Sequence, residues 1–259
     1  MEGPSLLILK ESLKSFKRKK IIAASGSTTK INTGELVGET IVDFKSFGKH
    51  FLIVLKSFSL RIHFLMFGSY RINERKDATP RLQLKFKTGE LNFYTCSVIR
   101  IDDDLDDVYD WTTDVLSDQW NAAKARRKIR KLPELTVSDV LLHQTIFAGV
   151  GNIIKNEVLF RIRVHPETTI QALPPRKLTA LIQEARNYSF DFYKWKKIFQ
   201  LKKHWLIYTK KKCPQCKGIV RKEYTGKTLR RSFYCENCQE LYAVIKTSKI
   251  NRRRLAIVS

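Results

Sequence analysis

The chain has 259 residues with 43% hydrophobic side chains, enough for one large domain or two ordinary ones, and no apolar run approaches the ~20 residues of a membrane-crossing helix. SLLILK near the start is too short, and too soon followed by lysines, for a secretory core, so a cytosolic or nucleoid protein without a membrane partner is expected. The formal charge of +24 is lopsided: residues 1–120 carry 18 Lys and Arg against 16 Asp and Glu, residues 121–259 carry 31 against 9, which disfavours a merely solvated basic surface and points to a polyanion, most often nucleic acid.

The chain begins MEGPSLLILKE, a start that either opens a helix trivially or puts the first residue itself to chemical use. Leu6, Leu9, Leu13 and Phe16 recur at helical spacing and predict an amphipathic helix over 5–16. The KRKK at 17–20 that follows mimics a nuclear signal but reads as a solvated helix end. From about 38 to 96 the period drops to two, in Phe51, Ile53 and Leu55, then Leu60, Ile62 and Phe64, then Leu82, Leu84 and Phe86, then Leu91 and Phe93. The last two runs flank KTGE, a hairpin turn with Gly89, so the first domain is mostly antiparallel β. Cys96, in the apolar LNFYTC, reads as a buried small hydrophobe.

Residues 102–118 hold eight aspartates in seventeen positions. The glycine and terminal glutamate of a calcium loop are missing, so the stretch reads as an acidic segment between domains. Beyond it the pattern is helical. TVSD at 136–139 resembles a capping box, with Val137, Val140 and Leu141 on one face. AGVGN at 148–152 ends that helix and opens another at NIIKNEVLF, which predicts a tight corner whose second N-terminus offers free amides to a phosphate, or equally a packing corner. A further helix is entered through PPRK, and 186–212 interleaves aromatics with lysines, as either a base-stacking surface or a core with snorkelling lysines.

Cys213, Cys216, Cys235 and Cys238 form C-x2-C-x18-C-x2-C, which reads as one tetrahedral, structural Zn2+ site closed by four thiolates.

The EGP start, FGKHF at 47–51, LRIHFLMFGSYRI at 60–72, HQTIFAGVGNIIKNEVLF at 143–160 and LRRSFYCENCQ at 229–239 together resemble, in order, the formamidopyrimidine-DNA glycosylase/endonuclease VIII (Fpg/Nei) family over roughly residues 1–240. The resemblance implies an α+β chain: an N-terminal β-sandwich with flanking helices over 1–110, a helix-two-turn-helix domain over 111–205, a zinc β-ribbon over 206–242 and a basic tail over 243–259. It also implies base-excision repair on damaged double-stranded or abasic DNA by a monomer. By the same resemblance Glu2 is the acid beside the nucleophile, Lys49 and Asn152 contact the backbone beside the lesion, and Met66 fills the gap left by a flipped base. Arg230, with Arg231 as its adjacent competitor, grips phosphate, and Glu157 matches an acid of the helix after GVG with a structural place. From the residues alone, Met66 after an alternating strand would be core.

Departures from the family pattern matter. The loop that props the unpaired partner base reads CSVIRID here, Ser5 stands where Glu is usual, and the segment before the ribbon is short. The N-terminal proline that precedes Glu-Gly-Pro is absent, so Met1 stands at the nucleophile position; Glu2 is not small, so Met1 is expected to be retained. The expected activity is a DNA glycosylase/AP lyase using an N-terminal amine. A non-catalytic binder of damaged or abasic DNA on the same scaffold is the alternative, and a general zinc-ribbon DNA-binding factor a third.

Overall fold

A computed structural model describes residues 1–244; the basic tail assigned to 243–259 therefore lies, from 245 on, outside the described residues. Helix α1 (Gly3–Ser12) carries proline in its first turn, where a missing N–H costs nothing, and buries Leu6 and Leu9. It stops four residues short of the expected end. The Ser12 hydroxyl bonds back to the Leu9 carbonyl at 2.8 Å, and Leu13 and Phe16 reach the same core from a 3-10 turn over Lys14–Phe16.

Six antiparallel strands follow: β1 (Ala23–Ser25), β2 (Asp43–Phe47), β3 (His50–Val54), β4 (Ser59–Ile72), β5 (Leu82–Phe86) and β6 (Gly89–Ile101), in the order β1-β5-β6-β4-β3-β2. The sandwich is one continuous sheet folded over itself. Its long central strands pair at both ends but lose register between Phe64 opposite Cys96 and Ser69 opposite Tyr94, where four residues of β4 face the single Thr95 of β6. The two halves close on a shared core, with Phe93 of β6 lying 6.1 Å from Phe51 of β3 and 6.3 Å from Phe64, ring centre to ring centre. Cys96 is buried in it, and burial pushes its thiol up to about 12.

The acidic stretch is packed rather than loose. It forms a short helix, α2 (Leu105–Val108), and Tyr109 and Trp111 close on Phe47 at 4.6 and 5.5 Å. Helices α3 (Ala122–Arg130), α4 (Val137–Leu142), α5 (Asn152–Arg161) and α6 (Pro175–Lys197) then build a second core from Ile154, Val158, Leu181, Ile182, Ala185 and Tyr188. The aromatics of 186–212 divide accordingly: Tyr188 and Phe192 are core, whereas Phe199 is exposed. Among the described residues no helix is long and apolar enough to cross a membrane. A two-stranded ribbon, β7 (Arg221–Thr225) and β8 (Arg230–Tyr234), is the last paired element among the described residues.

The ribbon is fixed to the helices by buried polar side chains. Glu157, fully buried on α5, accepts the amides of Leu206, Ile207 and Tyr208 at 2.8–3.1 Å and so orients the segment that leads into the ribbon. Thr136 caps α4 as the TVSD pattern predicts, accepting the Asp139 amide at 3.2 Å. Asp139 does not complete the capping box; its carboxyl turns to the ribbon tip and takes the amides of Lys227 and Thr228 at 2.9 Å each.

The sheet and the helical half meet along two lines. Tyr193 and Lys197 of α6 both donate to Glu11 of α1, at 2.5 and 2.8 Å. Gly48, in the β2–β3 turn, donates to buried Asp114 at 2.8 Å, and Gly3 donates to the Gly149 carbonyl at 2.9 Å.

Candidate functional site

The second line of contact builds the site. Helix α4 ends at Leu142 and α5 begins only at Asn152, so the expected tight corner is a nine-residue connection, with Gly149 in left-handed backbone at φ +97°. Of the first amides of α5 only that of Asn152 is without a partner among the described residues; the next two are not free for a phosphate. Glu2 reaches across from the sheet half, one carboxyl oxygen accepting the Ile153 amide at 2.7 Å and the other the Ile154 amide at 3.3 Å. A helix N-terminus favours an acidic partner, and this chain supplies its own. The approach requires glycine on both sides: a Cβ on Gly3 would sit 2.9 Å from the Gly149 Cα, and one on Gly151 2.4 Å from the Glu2 Cδ.

The electrostatics around this contact are opposed. Removal from water pushes the Glu2 carboxyl above its ordinary range, against the pull of the two amides and of Lys49. Burial lowers the Met1 α-amine, helped by Lys49 and Lys196 and resisted by Glu2. Lys49, in the β2–β3 turn beside Gly48, is half-buried rather than a surface charge; burial and Arg230 lower it. Lys196, near the end of α6, is lowered by burial and His63 of β4 by burial, the Met1 amine and Lys49. An amine, an acid and several cations thus share one cleft.

The ribbon contributes the far wall. The Arg231 carbonyl accepts from Asn152 Nδ2 at 2.9 Å and from Lys155 Nζ at 3.2 Å, and Lys155 also donates to Ser232 Oγ at 2.7 Å. Asn156 accepts the Phe233 amide at 2.7 Å. One face of α5 therefore holds β8 residue by residue. The Arg231 guanidinium bonds the Tyr224 hydroxyl at 2.8 Å and lies over its ring, whereas exposed Arg230 makes no side-chain hydrogen bond or ion pair among the described residues. Of the two candidates Arg230 is the one free to take an anion.

At the ribbon's base the sulfurs of Cys213, Cys216, Cys235 and Cys238 all lie within 4.8 Å of one another, with Cys213–Cys238 at 3.7 Å and Cys216–Cys235 at 3.4 Å. A tetrahedral ion with sulfur ligands at ~2.3 Å requires sulfur separations of about 3.8 Å, so the four residues fit one metal ion.

Two family descriptions match the chain: the formamidopyrimidine-DNA glycosylase N-terminal domain over residues 8–98 and its H2TH domain over residues 112–188. The chain belongs to the Fpg/Nei family. It is 29% identical over 213 residues to Endonuclease 8-like 3 of Mus musculus, covering 76% of this chain and 34% of that protein. It is 33% identical over 197 residues to Endonuclease 8-like 2 of Bos taurus, covering 70% and 58%. The chain thus spans about a third of the length of the Endonuclease 8-like 3 relatives. In fold it is similar to the Lactococcus lactis formamidopyrimidine-DNA glycosylase solved non-covalently bound to DNA containing an AP site, at TM-score 0.81 and 23% identity over 93% of this chain and all of that one. A viral DNA glycosylase structure matches at TM-score 0.80 and 19% identity, with the same coverage.

Against this family frame, Met1, Glu2, Lys49, Asn152 and Arg230 converge on the cleft, and Arg231 lies beside them with its side chain already engaged. Met66 is 75% exposed, in the β4 excursion, where periodicity alone expected core. Sequence reasoning missed His63, Asp139 and above all Lys155, which is 0% exposed and has no carboxylate in ion-pair distance among the described residues. Its signal was a lone lysine one turn after Asn152, directly following the apolar pair Ile153 and Ile154 in NIIKNEVLF.

Burial and nearby Arg230 lower Lys155 to about 7, against Asp139, Glu167 and Glu2. Folded, it binds fewer protons than unfolded between about pH 7 and 10, so its contribution makes stability rise with pH across that window. Lys155→Met is expected to flatten this rise, as measured by urea unfolding of both proteins at pH 7 and pH 9; an equal rise in wild type and variant would contradict the buried-cation assignment.

Proposed function

We propose that the chain is a DNA glycosylase with AP lyase activity, acting in base-excision repair on oxidised or otherwise damaged bases. The observation that carries this reading is the juxtaposition of an α-amine lowered by burial with a carboxyl raised by burial, in a cleft rimmed by Lys49, Lys196 and Arg230. A lowered amine is neutral in larger fraction at physiological pH and therefore more nucleophilic, and a raised carboxyl is a better-matched proton donor than an ordinary one. The family membership, the names of the relatives and the +22 carried by residues 121–259 support DNA as the partner.

In this mechanism the neutral Met1 amine attacks C1′ of the damaged nucleoside, the N-glycosidic bond breaks, and the base departs with a proton. Glu2 donates to the sugar ring oxygen as the ring opens, leaving a protonated imine between Met1 and C1′. That imine accepts the electron pair released when the C2′ proton is removed, and the 3′ phosphate leaves. Hydrolysis of the imine returns the amine. Lys49, Asn152 and Arg230 hold the flanking phosphates, which positions the strand without reading sequence.

We take the ion of the cysteine cluster to be zinc, because four thiolates in tetrahedral spacing suit it and leave no position open for substrate. It would hold the ribbon that carries Arg230. Elemental analysis of protein purified under reducing conditions is expected to find one zinc per chain, and finding none would overturn the assignment.

For the chemistry, borohydride reduction of protein with a free α-amine on abasic DNA is expected to give a covalent adduct at residue 1. Glu2→Gln, which keeps an oxygen toward α5 but has no proton to give, is expected to slow base removal by roughly 10²–10⁴-fold. Tight binding of abasic DNA with neither adduct nor nick would replace this reading with that of a damage-binding protein.

A further inference from the structure

A two-stranded ribbon leaves the outer edge of β8 without a strand to pair it, and backbone groups taken out of water unpaired are costly. Helix α5 replaces the missing strand with side chains. Asn156 serves two groups of that edge together, accepting from the Phe233 amide at 2.7 Å and donating to the Arg231 carbonyl at 3.4 Å. The carbonyl has more donors than it can use. Asn152 Nδ2 at 2.9 Å and Lys155 Nζ at 3.2 Å also donate to it, which makes three donors for an oxygen with two lone pairs.

The three donors are not held alike. Asn156 Nδ2 has a second acceptor in the Asn152 carbonyl at 2.7 Å, and Lys155 Nζ has one in Ser232 Oγ at 2.7 Å. Asn152 Nδ2 has the Arg231 carbonyl alone, and its Oδ1 has no partner among the described residues. Asn152 is also the one of the three that is partly exposed, whereas Lys155 and Asn156 are buried. The lysine reaches further into the ribbon than its own contacts suggest. Ser232 Oγ shares a hydrogen bond with Thr225 Oγ1 at 2.5 Å, and Thr225 is the residue opposite Arg230 across the ribbon. Lys155 thus braces both the chain neighbour of Arg230 and its cross-strand partner.

We propose that Lys155 is a positioning residue for Arg230. It keeps the Arg231 carbonyl bonded when Asn152 turns from that carbonyl to a DNA phosphate, so β8 stays seated on α5 while Arg230 takes its own phosphate. An apolar side chain in its place would leave the carbonyl with only the long bond from Asn156 once Asn152 departs, and would strip the Ser232 hydroxyl of a donor. That is the physical reason for a buried cation here that meets no carboxylate in ion-pair distance among the described residues. The proposal rests on the reading of DNA as the ligand, with Asn152 and Arg230 as phosphate contacts.

The test measures affinity for a duplex carrying a tetrahydrofuran abasic analogue in Lys155→Met, Lys155→Arg and Ser232→Ala, each with Arg230 present and in an Arg230→Ala background. The loss of a charged donor sets the scale: Lys155→Met is expected to weaken binding roughly 10-fold with Arg230 present and less than about 2-fold without it. Lys155→Arg keeps a charged donor and is expected to restore most of the affinity. Ser232→Ala keeps the lysine but removes its second acceptor, and is expected to cost roughly 3-fold with the same dependence on Arg230. Borohydride adduct at saturating abasic DNA is expected to match wild type in all three, because the lysine acts on binding and not on the Met1 amine. If urea unfolding shows that Lys155→Met does not fold, Lys155→Arg and Ser232→Ala decide the matter. Equal losses with and without Arg230, no loss in Lys155→Met or Ser232→Ala, or a fall in adduct at saturation overturns the proposal and leaves the ligand reading intact. Failure of wild type to bind the abasic duplex overturns the ligand reading, and the proposal with it.

Discussion

The contact on which the rest depends is the Glu2 carboxyl seated on the first amides of α5. It does three things at once. It satisfies backbone donors that would otherwise be orphaned at a helix start, it ties the chain's first residues to the helical half, and it holds the Met1 amine at the junction. Because both halves bring glycine to the crossing, the backbones approach closer than side chains would allow. The acid and the amine are thus placed by main-chain geometry rather than by flexible side chains.

Helix α5 is the common wall of the molecule. Its N-terminus receives Glu2, one face carries Asn152, Lys155 and Asn156 against β8, and Glu157 holds the segment leading into the ribbon. Its apolar residues fill the helical core. A ten-residue helix therefore connects the sheet, the ribbon and the cleft, which explains why so many of its side chains are buried despite being polar. Buried polar groups are mostly partnered, and Glu157 and Asn156 meet main-chain amides of other elements. Lys155 departs from this pattern, since it meets a carbonyl and a hydroxyl but no counter-charge.

Much of this was legible in the sequence because it rests on local rules. Period-two alternation gave β3 to β6, the Thr136 cap marked α4, and cysteine spacing marked the four-cysteine cluster. The errors came from long-range pairing. The apparent free N-terminus of α5 is taken by a residue about 150 positions earlier, and the second member of the capping box serves a ribbon about 90 positions later. Periodicity alone put Met66 in the core, against the DNA-facing place the resemblance implied, because alternation cannot register a bulge, which reverses which side chains face the solvent. Choosing between Arg230 and Arg231 likewise required Tyr224 in place across the ribbon.

The most direct test of the Glu2 contact is the yield of borohydride-trapped adduct on abasic DNA from Gly151→Ala, whose new Cβ would lie 2.4 Å from the Glu2 Cδ. Small displacements of reacting groups carry large rate costs, so the expected result is a fall of roughly 100-fold with metal content and DNA affinity unchanged. An adduct yield equal to that of the wild-type protein would show that the placement of Glu2 on α5 does not organise the site.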